Sequence, residues 1–197
     1  MDHELYQEIL NTISAYYPIL NPGSSQLSEI ISGKIENLDA PSDFKSLCRD
    51  LTSIGKVEDL SYLQFPNLKL QVEDVENVGN YRTLKNFAVC ISMLGPYYTF
   101  FYEIQFKMKT SDGFLELSRV CFLKDEKFKF IRKDLDFAEI DSKIKSKYPT
   151  YRYVDHYSLL VNEVDRGLPY GELETDKKKY SFFRYLFDTA TFDKIFQ

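Results

Sequence analysis

Tryptophan is absent from this chain of 197 residues, and histidine, methionine and cysteine are scarce at two, three and three. His3 and His156 lie far apart, and Cys48, Cys90 and Cys121 are scattered between them. That spacing does not match a zinc site. An odd cysteine count at wide intervals is no disulfide framework, and it predicts buried, reduced thiols in a cytoplasmic protein. Eight glycines and seven prolines exclude collagen and low-complexity linkers. Gly113, Gly167 and Gly171 stand alone as turn or cap residues, so no glycine loop is available to cradle a phosphate, which weighs against a Rossmann or P-loop enzyme. Gly-x-Ser-x-Gly is missing, and Asp134-Leu135-Asp136 lacks the glycine and glutamate of a calcium loop. These gaps imply no cofactor, no metal and no catalytic residue set.

Long apolar runs are missing as well. The most apolar stretch, Phe87 to Phe106, is interrupted by Ser92, Gly95, Pro96, Thr99, Glu103 and Gln105, which predicts no membrane span. The start, Met1-Asp2-His3-Glu4, is acidic and lacks the basic and apolar regions of a secretory signal.

What is present is an ordinary globular composition: 44% hydrophobic and 28% charged residues, with 16 phenylalanines and 15 tyrosines. The length fits one domain over 1–197. The net charge of −5 disfavours generic nucleic-acid binding. It is unevenly spread: residues 1–78 hold 13 acidic and 5 basic side chains, while residues 79–197 hold 17 acidic and 20 basic.

Periodicity divides the chain into a helical part over 1–56, an antiparallel sheet over 68–132 and a mainly helical part over 136–197. Leu5, Ile9, Ile13 and Tyr16 make the apolar stripe of a first helix. Ser24 or Ser25 can cap a second helix, and Ser42 a third that carries Phe44, Leu47, Cys48, Leu51 and Ile54. Leu68, Leu70 and Val72 alternate as in a short strand. Tyr98, Phe100, Tyr102, Ile104, Phe106 and Met108 then alternate without a break. Turns placed at Gly95-Pro96, Asp112-Gly113 and Asp125-Glu126 bring the apolar residues of four strands to one side. Proline fits the first of these turns badly, so a longer loop there is an alternative, and Arg119 and Phe122 fall on the wrong faces unless a bulge lies near them. A helix over Phe137 to Lys147 follows. Asp155 then caps a helix carrying Tyr157, Leu160, Val161 and Val164, and a final helix or strand carries Tyr180, Phe183, Leu186 and Phe187. The expected fold is α+β, with a central antiparallel meander of four or more strands, one face packed by helices and the other partly solvated.

Functional candidates follow from charge and aromatics. Glu58, Asp59, Glu73, Asp74 and Glu76 form an acidic cluster able to steer a basic partner. Tyr16, Tyr17 and Tyr97 are interface candidates, because the doublets Tyr16-Tyr17 and Tyr97-Tyr98 must each expose at least one ring if they are regular. Together these predict a non-catalytic, acidic, cytoplasmic protein-binding domain whose partner is a protein, and a basic one. Small, acidic, aromatic-rich and motif-free is also the profile of a toxin-neutralising immunity protein, a likeness of class and not of motif. The alternative is a small enzyme or ligand-binding domain with an aromatic-lined pocket between sheet and helices, where Glu103, Asp155 or His156 would serve as acid or base. His156, next to a helix cap, otherwise reads as partly exposed. The segment from Lys124 to Lys133 interleaves lysine with Phe128 and Phe130, a nucleic-acid pattern whose plainer reading is a charged edge strand.

Overall fold

The structure, a computed structural model, describes residues 1–19, 24–37, 39–61, 65–122, 137–170 and 179–187, with the backbone alone over 117–122. It is an α+β fold. Three helices, α1 (His3–Tyr16), α2 (Ser25–Glu36) and α3 (Ser42–Leu51), precede five strands in meander order: β1 (Lys56–Asp59), β2 (Asn67–Val78), β3 (Tyr81–Ser92), β4 (Tyr97–Thr110) and β5 (Gly113–Phe122). Helix α4 (Phe137–Lys147), strand β6 (Arg152–Tyr153), helix α5 (His156–Val161), strands β7 (Glu163–Val164) and β8 (Tyr180–Ser181), and helix α6 (Phe182–Leu186) follow among the described residues. Strand β6 pairs in parallel with the start of β4, and β7 pairs with β8.

Helix ends follow local chemistry. Asp2 accepts from the Leu5 N–H, Ser24 from the Leu27 N–H and Asp155 from the Ser158 N–H, each satisfying a donor the helix itself leaves free. Helix α3 begins at Ser42 itself, with Pro41 at the cap position and no side-chain cap bond. Helix α5 is shorter than its sequence pattern. It ends at Val161, buries His156 and Leu159, and leaves Tyr157 and Val161 exposed, while Val164 joins β7.

The strands alternate between two cores. Leu68, Leu70 and Val72 of β2, Phe87, Val89 and Ile91 of β3, and Tyr98, Phe100, Tyr102 and Ile104 of β4 pack against α3 and α4. The phenol of Tyr98 donates to the carboxylate of Asp141 on α4. On the opposite face, Ala88, Cys90, Tyr97 and Phe101 pack against α1, α2, α5 and α6. Helices therefore cover both faces of the central strands, and solvent reaches the sheet along its far end. This double cover explains why both rings of Tyr97-Tyr98 are buried: consecutive residues enter opposite cores.

Between β3 and β4 the pairing preserves the expected faces but not the expected offsets, whereas β5 turns at Ser111-Asp112 instead of Asp112-Gly113 and its second half changes face, so that Cys121 pairs with Glu103 and not with Ile104. Phe87 pairs with Tyr102, Val89 with Phe100 and Ile91 with Tyr98, two residues from a turn centred on Gly95-Pro96. The loop is Met93 to Pro96, and no peptide bond in it is cis. A two-residue slip keeps every side chain on its face. Beyond the Ser111-Asp112 turn, Lys109 pairs with Phe114 and Met108 with Leu115. A bulge between Phe106 and Lys107 then shifts the register by one, so that Ile104 meets Val120 and Tyr102 meets Phe122. The irregularity expected near Arg119 thus lies at Leu117. The Asp125-Glu126 turn, the strand with Phe128 and Phe130, the segment from Lys124 to Lys133 and the Asp134-Leu135-Asp136 run lie outside the described residues.

A candidate recognition surface at the far end of the sheet

The sheet outruns its helices. Val78 pairs with Tyr81 across the Gly79-Asn80 turn, Tyr81 with Met108, and Met108 with Leu115. Directly paired residues share a face, so these four form one apolar row across four strands. It lies on the face of β4 that carries Tyr98 to Ile104, and Phe106 fills the step between row and core. Among the described residues no helix covers this part: Val78 is 65% exposed and Tyr81 57%, with Leu115 and Phe106 also open to solvent. An apolar row continuous with a buried core yet uncovered is the signature of a contact surface.

The predicted acidic cluster is divided by strand alternation. Asp74 and Glu76 share the face of the apolar row. Glu76 pairs with Lys85 at 2.8 Å, and that ammonium holds the Glu76 carboxyl below its ordinary value. Glu58 and Glu73 lie on the other face, where Lys56 bridges them, and the pair with Glu58 raises the Lys56 ammonium. Asp59 closes β1 and accepts from the Ser61 N–H. The five carboxylates therefore fringe one sheet edge, three of them already matched by lysine.

The candidate tyrosines go elsewhere. Tyr17 is fully buried, and its hydroxyl donates to the Tyr185 carbonyl at 3.1 Å; burial pushes the phenol up. Tyr97 is buried, and its hydroxyl lies 3.3 Å from that of Thr12. Tyr16 is half-buried against the α1 core. The expectation that each doublet exposes a ring fails for Tyr97-Tyr98, because a second helical layer covers the face that was expected to be solvated. Tyr81 is the tyrosine that belongs to the surface. Its signal is the Gly79-Asn80 dipeptide, which marks a two-residue hairpin, and Gly79 takes φ +59° there.

None of the acid/base candidates of the alternative reading lines the cleft beside α2. Asp155 caps α5, Glu103 accepts from the Gln105 side chain at 3.0 Å, and both are accounted for locally. His156 is not partly exposed but 1% accessible, sandwiched between Phe101 and Phe183. A cleft of about 350 Å³ opens between α2 and the β1–β2 edge, lined by Ile30, Lys34, Asp59, Ser61, Leu68 and Met93 among others. None of its described lining residues is aromatic, which departs from the expected pocket. Lys34 donates to the Phe65 carbonyl there at 2.9 Å. Among the described residues, no three His, Cys, Asp or Glu side chains gather as metal ligands, and no helix is long and apolar enough to cross a membrane.

Comparison with protein families, with curated proteins and with solved structures finds no match.

Proposed function

We propose that this chain is a protein-recognition domain that seats a basic partner protein on the far end of its sheet. One observation carries the reading: the uncovered row Val78, Tyr81, Met108 and Leu115, which prolongs the core face beyond its helices and is fringed by Asp74 and Glu76. Aromatic and methionine side chains supply contact area at the centre of interfaces, and carboxylates at the rim accelerate and orient the encounter with a basic surface. Stoichiometric blocking of such a partner, as an immunity protein blocks its toxin, is the role this chemistry suits.

A photo-crosslinking phenylalanine analogue at Tyr81 or Leu115, in the cells that make the protein, tests the reading. Both positions yield one adduct of the same added mass, while a control at exposed Tyr157 on α5 does not. Adducts of equal intensity from all three positions, or from none, reject it.

A second reading, binding of a small ligand, rests on the cleft beside α2. A Cβ at Gly33 meets nothing within 4 Å, so Gly33→Leu fills that cleft without strain. Under the recognition reading the Tyr81 adduct persists in this variant.

A further inference from the structure

We infer that the partner contributes an extended basic segment, which adds as a strand to the open edge of β2 beside Asp74–Val78. The inference rests on the recognition reading above and specifies its mode. Strand β1 pairs with β2 only from Leu70 to Glu73. Among the described residues, no strand runs beside the last five residues of β2 on that side.

The backbone direction there can be worked out. The Lys69 carbonyl accepts from the Leu60 N–H at 2.8 Å, and the Lys69 N–H donates to the Ser61 hydroxyl at 2.8 Å, so Lys69 faces outward. The β2–β3 register is unbroken from Asn67 to Val78. Alternation then turns the N–H and C=O of Val75 and Asn77 outward as well. Four backbone groups in a row, along about 17 Å of strand, form a template for strand addition.

Charge selects the occupant. A second copy of this chain would bring Asp74 and Glu76 against their own counterparts, which repels. A segment alternating basic and β-branched residues instead sets its cations beside Asp74 and Glu76 on the face of the apolar row. Its β-branched side chains then lie beside Val75 and Asn77 on the other face.

A short acetylated peptide of alternating lysine and valine is a direct probe, with a glutamate-valine peptide as its counterpart. The lysine peptide binds the unaltered protein and slows amide hydrogen exchange at Val75 and Asn77, and the glutamate peptide does neither. Val75→Pro removes an outward N–H that no described residue uses, and weakens the lysine peptide about tenfold or more. Tyr157→Ser, on the exposed side of α5 and away from the sheet edge, leaves its affinity unchanged. No binding, binding without protection of the two amides, or equal binding to Val75→Pro overturns the inference. If any of these occurs while the Tyr81 and Leu115 adducts persist, the recognition reading stands and strand addition alone falls; if the adducts are absent too, both fall.

Discussion

The imidazole of His156 lies nearly flat on the ring of Phe101, with centroids 4.1 Å apart and planes at 21°, and Phe183 meets it edge-on at 4.8 Å. Burial and the nearby Lys69 ammonium hold its pKa down to about 3. The folded protein therefore keeps the ring neutral, whereas the unfolded chain protonates it near 6.5. Above that pH the ring is neutral in both states and makes no difference. As pH falls from about 6.5 towards 3, only the unfolded state gains the proton, and stability drops by about 1.4 kcal/mol per pH unit. Glu76, whose folded pKa is lowered, adds its own loss only below the ordinary carboxylate range. Urea unfolding at pH 7 and pH 5 isolates the histidine. The expected loss is about 2 kcal/mol for the natural chain, and His156→Phe abolishes it. Equal losses in both chains would remove His156 as the cause.

Two glycines make opposite demands. Gly79 takes φ +59° in the β2–β3 turn, and a Cβ there meets nothing within 4 Å. Gly79→Ala therefore costs only backbone strain, about 1 kcal/mol, and Gly79→Asn costs less. Gly95 is the reverse case: its conformation is ordinary, but an added Cβ would sit 2.5 Å from Cε2 of Tyr97 and 3.3 Å from Cγ2 of Thr12. The Tyr97 ring is buried and hydroxyl-linked to Thr12, so it has little room to move. Gly95→Ala is expected to cost about 2 kcal/mol or more. Thermal unfolding of the two alanine variants side by side decides whether the order is right.

Alternation made the sheet legible, and it fixes a face but not an offset. Phe100 was bound to share a face with Val89, and it does, yet no local signal distinguishes a two-residue loop at Gly95-Pro96 from the longer Met93 to Pro96 loop. Helix α4 was legible to its last residue because Phe137, Ile140 and Ile144 keep phase for two turns and Pro149 follows. Helix α5 was not: six residues are too short for phase to decide between His156 with Leu159 and Tyr157 with Leu160. The second helical layer was hidden for another reason. Cys90 reads as part of a half-solvated face, and its burial depends on α1 and α6, which come from opposite ends of the chain. The acidic residues were visible as a run, but their division over two faces and the open edge beside Asp74–Val78 depend on where β1 stops.

Cys48 tests the β1 edge chemically. Its thiol is half-buried on α3, and burial together with the Asp59 carboxylate raises its pKa to about 11. Thiolate is the reactive form, so at pH 8 the reactive fraction is about a hundredfold below that of an ordinary cysteine. Alkylation by iodoacetamide, followed at the Cys48 peptide by mass spectrometry, should be slow by a similar factor. Asp59→Asn removes the smaller of the two causes and accelerates it modestly, while urea restores the ordinary rate. Rapid labelling of the folded chain would contradict this environment.

Tyr17 and Tyr81 divide the work of the tyrosines between stability and recognition. The Tyr17 hydroxyl ties the end of α1 to the Tyr185 carbonyl, and the two rings lie 5.0 Å apart inside the core. Tyr17→Phe leaves that buried carbonyl without this donor, and is expected to cost about 1 kcal/mol; Tyr17→Ala adds a cavity and costs about 3–5 kcal/mol. Tyr81, at 57% exposure, has little to lose on truncation, and Tyr81→Ala should shift unfolding by about 0.5 kcal/mol or less. The same Tyr81→Ala change should weaken the partner captured at Leu115, because an aromatic at the centre of an apolar row contributes more binding energy than its neighbours. A chain whose Tyr81→Ala variant unfolds as Tyr17→Ala does would place Tyr81 in the core. One that folds normally and keeps its full Leu115 adduct would move the contact away from the row.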